Sequence, residues 1–138
     1  MNDEQLQAAF QAQTIPLSDW DHRKHLRLAW IHLSQNTFDE ALNKIRSGIQ
    51  AYNKSVGMEE GPEKGFHETL TVAWMKMVDY SMREHGAKED SEAFLAFQPQ
   101  LCIKQLLRSF YTPKQMLSAK AKQEFVPPDI LPLPISTK

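Results

Sequence analysis

Three features of this sequence predict an all-α fold, a compact helical bundle of about five to six helices followed by a proline-rich extended tail. Apolar residues recur at helical spacing through most of the chain, only 5 glycines occur in 138 residues, and no stretch shows the strand-like alternation bounded by turn residues that marks a hairpin. The length suits one domain with one core. That domain is assigned to residues 1–125, with 126–138 as a tail packing on it.

Asn2 or Asp3 caps a short first helix with Leu6, Ala9 and Phe10 on one face, which ends before Ile15-Pro16 because the residue preceding proline disfavours helix. Ser18-Asp19-Trp20-Asp21 reads as the N-cap and acidic first turn of helix two. Leu26, Ala29, Trp30 and Leu33 then share its apolar face, and Arg23, Lys24 and Arg27 form a basic strip on the other side, read as a solvated surface. Thr37-Phe38-Asp39-Glu40 is a capping box, and Phe38, Ala41, Leu42, Ile45, Ile49, Tyr52 and Val56 repeat down one stripe of helix three until Gly57 stops it. A polar loop over 58–65 precedes helix four, which begins near Phe66, carries Leu70, Ala73, Trp74, Met77 and Ser81 inward, and ends at His85-Gly86. Shorter helical segments follow over 91–97, 101–110 and from Thr112-Pro113 to about Phe125. The prolines of 126–134 forbid helix, while the Ile and Leu between them suit an extended segment lying on the domain.

Charge excludes some partners. With 16 Lys and Arg against 17 Asp and Glu, no basic excess points to nucleic acid. The single cysteine, Cys102, permits no intramolecular disulfide and fits a reducing, cytoplasmic setting. No run approaches the ~18 consecutive apolar residues of a membrane span, so no membrane association is expected. Even charge and exposed aromatics permit a homodimer.

The chemistry is expected where helices begin. If helices two, three and four run up, down and up with short connections, helices two and four are parallel and start at the same end. His22 and His25 then lie in the first two turns of helix two, and His67, Glu68 and Thr71 in those of helix four. His32 lies about 15 Å further along the axis and His85 at the opposite end. Three imidazoles at helix starts suit a divalent metal, zinc, iron or nickel, because helix N-termini disfavour extra positive charge and keep imidazole neutral and able to ligate. Three ligands leave an open coordination position for water or a small-molecule substrate, as in catalytic sites. Glu68 points away from the core stripe and reads first as an acidic residue favoured in a first helical turn. Two other readings stand beside the metal: a metal-free pocket with histidine as acid or base, and structural histidines in a non-enzymatic protein-interaction module whose partner binds the tail or a helix face.

The segments His22-Arg23-Lys24-His25-Leu26-Arg27-Leu28-Ala29-Trp30, His67-Glu68-Thr69-Leu70-Thr71-Val72-Ala73-Trp74 and Pro128-Asp129-Ile130-Leu131-Pro132-Leu133-Pro134 together resemble an uncharacterised family of small bacterial helical proteins. The resemblance implies that the three segments belong to one architecture. It also implies that the tail folds back toward the paired helix starts, which would bring Asp129 beside the histidines. A looser similarity links the chain to the DinB-like metal-binding bundles, whose histidine triads lie between helices; their motif spacing is not found here, so no residue role carries over.

Overall fold

Four helices, α1 (Asp3–Ala12), α2 (His22–Gln35), α3 (Phe38–Ser55) and α4 (Glu68–His85), form the body of the computed structural model, which describes residues 1–137. Three short helices follow, α5 (Ser91–Phe97), α6 (Pro113–Met116) and α7 (Ala119–Gln123), with tight 3-10 turns at Leu17–Asp19, Pro99–Cys102 and Lys104–Ser109. Among the described residues there is no strand, and no helix is long and apolar enough to cross a membrane.

Several boundaries differ from the periodic reading, each for a local reason. Residues 17–19 close a 3-10 turn, and Asp21 rather than Ser18 caps α2 by accepting the Lys24 N–H at 2.9 Å. Thr37 caps α3 by accepting the Glu40 N–H, but the Glu40 carboxylate takes the Thr37 hydroxyl proton at 2.8 Å, not the backbone N–H of a full capping box. Residues 101–110 form 3-10 turns rather than one helix, since Pro99 and the extended Ile103 interrupt the ladder. The last predicted helix is two, split where Ser118 recaps the chain by accepting the Ala121 N–H.

The predicted up, down, up arrangement is present. The His22 ring lies edge-on to Trp74 with centroids 4.5 Å apart, and further along α2 the Trp30 indole donates to the Ala87 carbonyl at 2.7 Å, just past the end of α4. These contacts make α2 and α4 parallel. The α3 helix runs against both, bringing Tyr52 from its C-terminal half onto Trp20 at 4.3 Å, and the Tyr52 hydroxyl donates to the buried Ile15 carbonyl at 2.7 Å.

Arg27 corrects the expected solvated strip. The α2 helix packs against α1, α3, α4 and α5, so Arg27 is 3% exposed and donates to Ser91 Oγ, the Met1 carbonyl and Asp3. Arg23 of the same strip does stay at the surface, paired with Glu92.

The tail lies along α4. Val126 donates its N–H to Thr69 near the start of that helix, Tyr111 donates its hydroxyl to the Val126 carbonyl, and Leu133 is buried. Ser136 and Thr137 reach Glu84 at the far end. The tail therefore runs away from the helix starts rather than back toward them.

Gly48 sits where α3 crosses α1, and a Cβ there would stand 2.2 Å from the buried Phe10 ring. Glycine to alanine in a helix gains about 1 kcal/mol of propensity, whereas forcing volume into a packed contact costs about 1–3 kcal/mol. Gly48→Ala is expected to be net destabilising, read as a lower urea midpoint. A raised midpoint would show that the Phe10 contact yields.

Candidate functional site

At the end of the bundle where α2 and α4 begin, the helices part around a cavity of about 380 Å³. Its wall includes Trp20 just before α2, His22 and His25 from the start of α2, Asn53 from α3, His67 at the N-cap of α4, and Thr71 and Trp74 from α4. Topology thus brings the three predicted histidines to one cavity across 45 residues of sequence, from His22 to His67. The loop between α3 and α4 supplies Met58, Gly65 and Phe66. Phe66 is fixed there because it donates its N–H to the Glu60 carboxylate and its carbonyl accepts from the Lys122 ammonium. Gly65 has φ +90°, and a Cβ there would strike that same carboxylate, so only glycine permits the clamp.

Each imidazole is held by the backbone, but not equally. A carbonyl can only accept, so His22 donates Nε2–H to Leu101 O at 2.9 Å and His25 donates Nδ1–H to Asp21 O at 2.7 Å. The other nitrogen of each ring, His22 Nδ1 and His25 Nε2, is a lone-pair acceptor without a protein partner among the described residues. No unpartnered side-chain nitrogen or oxygen is sealed from solvent, and the cavity is the open space both residues share. His67 differs: Nδ1 accepts the Leu70 N–H at 3.1 Å, capping α4, while Nε2–H donates to Met116 O at 2.9 Å. Both of its nitrogens are committed. An imidazole N-cap lies outside the usual Ser, Thr, Asp and Asn set, which is why the sequence placed the helix start at Phe66.

Burial, first of all, lowers the pKa of all three histidines below the ordinary 6.5. The Lys104 ammonium reinforces this at His22 and His25, as Lys122 does at His67, while the backbone carbonyls and, at the first two, Asp21 pull the other way. The rings are therefore neutral near pH 7. Aromatic faces frame them, with Trp20 against His25 at 4.1 Å between centroids and Trp74 against His22.

The remaining predicted residues divide. Thr71 lines the cavity and spends its hydroxyl proton on the His67 carbonyl. Glu68 turns outward into a two-pronged pair with Arg46, at 2.8 and 2.6 Å, and takes no part in the wall. Asp129 accepts the Thr112 N–H and hydroxyl at 2.8 and 2.6 Å and does not line the cavity, so the tail brings no fourth group to the histidines. His32 is buried elsewhere, bonded to the Leu28 carbonyl, and His85 is exposed beside Tyr80.

The donor set does not fit a three-histidine metal centre. For His67 to ligate, it would have to give up either the Leu70 or the Met116 bond. Among the described residues no group of three or more His, Cys, Asp or Glu side chains is placed to hold a metal ion. The geometry accordingly offers two free imidazole nitrogens, not three.

One polar residue of the cavity wall is not among those the sequence singles out. Asn53 is only 5% exposed, lines the cavity, and its carboxamide makes no hydrogen bond to any described residue. It lies four residues past Ile49 and eight past Ile45 on the apolar stripe, and that polar interruption was its signal in the sequence. No protein family, curated protein or solved structure matches this chain.

Two measurements check this account. His22, His25 and His67, together with His32 beside Lys44, hold lowered pKa values in the folded chain. Below pH 6.5 the unfolded chain binds protons that the folded chain refuses. The stability they contribute is thus complete above that pH and lost as pH falls below it. The urea midpoint is expected to drop between pH 7.5 and 5.5, with a shallower drop in His25→Gln; a midpoint indifferent to pH contradicts it. Separately, Asn53→Leu replaces an amide that has no protein partner and is reached only from the cavity with an apolar side chain of similar size, and is expected to raise stability by about 1 kcal/mol. A loss of stability there means the amide is satisfied in the folded protein.

Proposed function

We propose that this protein binds a small organic molecule in the cavity between the starts of α2 and α4. The observation that carries this reading is the pair of neutral imidazoles, His22 and His25, each tied to a carbonyl through one nitrogen and each leaving the other free on one cavity wall. Clefts of this kind, mostly apolar with a few convergent polar groups and perturbed titrating residues, are the usual form of small-molecule sites. Neutral imidazole fixed at one nitrogen also suits a proton acceptor, so the same arrangement would serve a metal-free acid-base enzyme.

A divalent metal, zinc, iron or nickel, is the second reading, favoured by those same two free nitrogens. It requires further ligands from substrate, water or a rearranged His67.

Thermal unfolding of protein purified without a histidine tag separates the two. In buffer containing a chelator, a panel of one- and two-ring aromatic compounds is expected to include ligands that raise Tm, since a ligand at a hundred times its Kd adds about 2.7 kcal/mol. If no compound acts under chelation while zinc or nickel alone raises Tm, and His25→Ala abolishes that rise, the metal reading replaces the first.

A further inference from the structure

Resting on the small-molecule reading above, we propose that this cavity selects an uncharged aromatic molecule bearing a hydroxyl or N–H donor, recognised by His22 Nδ1, His25 Nε2 and the Asn53 carboxamide. His22 and His25 have each spent their one N–H on a backbone carbonyl, and Thr71 has spent its hydroxyl proton on His67 O. What these three side chains still offer the cavity is lone pairs. Asn53 adds a carbonyl acceptor and two N–H donors, all without a protein partner. An acceptor-rich wall leaves its groups unsatisfied unless the occupant brings donors, and a site built to bond an O–H or N–H discriminates strongly against a molecule lacking one.

Charge narrows the class. A carboxylate or phosphate would meet imidazole lone pairs rather than protons, its one counter-charge among the described residues of the wall being the solvent-exposed, and so well-screened, Lys104 ammonium. A cation would sit near the Lys104 ammonium, which also lines the cavity and acts on both imidazoles. Asp21, the acidic residue of the wall, has one carboxylate oxygen occupied by the Lys24 N–H at the cap. A neutral donor is the remaining solution. The shape points to a flat one: the free nitrogens are flanked by the indoles of Trp20 and Trp74, and about 380 Å³ lies at the small end of ligand sites, suiting one or two rings.

Two probes of one shape test it, p-cresol and p-xylene, which differ only by hydroxyl for methyl. An apolar cavity prefers p-xylene, because p-cresol leaves a hydrogen bond to water behind. Titration calorimetry on the native protein is expected to show p-cresol binding about tenfold more tightly, the worth of one good buried hydrogen bond. In His25→Leu or Asn53→Leu that preference should fall about tenfold, a ratio within each variant that general destabilisation does not alter. Equal or tighter binding of p-xylene by the native protein overturns the inference while leaving the small-molecule reading intact. So does tighter binding of 4-methylbenzylammonium than of p-cresol, or a preference unchanged in both variants. If neither neutral probe binds and the aromatic panel under chelation is also silent, the small-molecule reading itself falls.

Discussion

The fold depends on a single constraint: α2 is enclosed by other elements along its middle, so each polar group it carries must find its partner inside the protein. A buried, unpaired guanidinium would cost several kcal/mol. Arg27 avoids this by gathering the Met1 carbonyl, Asp3, Ser91 and Glu92 around it, with Asp3 also accepting the Ser91 hydroxyl and N–H. Trp30 reaches Ala87, His22 reaches Leu101 and His32 turns back on Leu28. Chain segments far from α2 in sequence are thereby fixed to it, the amino terminus and α5 above all. Polar side chains on a central helix act here as the points at which the periphery attaches.

The cavity arises from the same enclosure at the place where it fails. Helices two and four start side by side, and the cavity lies between their first turns. The rings of Trp20, Phe66 and Trp74 fill part of the gap, and the loop after α3 crosses it on the clamp of Glu60 and Lys122 about Phe66. Burial makes protonation of His22 and His25 costly, and the Lys104 ammonium adds to this. The result is a wall of neutral acceptors rather than a ring of charges. His67 belongs to the same wall but is consumed in holding the α4 start to the turn after Met116. Three similar residues at one site thus have two roles, separated by whether the backbone claims one nitrogen or both.

How much of this was legible varied with the kind of signal. Helix existence and the stripes of α3 and α4 were legible because burial on one side imposes a 3.6-residue period that survives without any knowledge of neighbours. Caps made by Asn2 and Thr37 follow ordinary side-chain preferences. Arg27 was misread because a polar residue opposite an apolar stripe looks solvated until a fifth element covers it. Asp129 was misplaced because an extended tail has no period, and nothing local tells whether it runs up or down the helix it lies on.

Sequence alone determined the all-α class and the long helices and, once an up, down, up topology was assumed, the grouping of His22, His25 and His67 at one end and the exclusion of His32 and His85. Those are consequences of spacing, and spacing is a property of the chain by itself. Only the tertiary structure decided which ring nitrogens remain free, that Glu68 belongs to Arg46 and Asp129 to Thr112, and that Asn53 is a buried amide facing open space. The physical reason is that hydrogen-bond valence is settled by partners brought from distant positions. His22 and His67 bond carbonyls at Leu101 and Met116 that no periodicity connects to them.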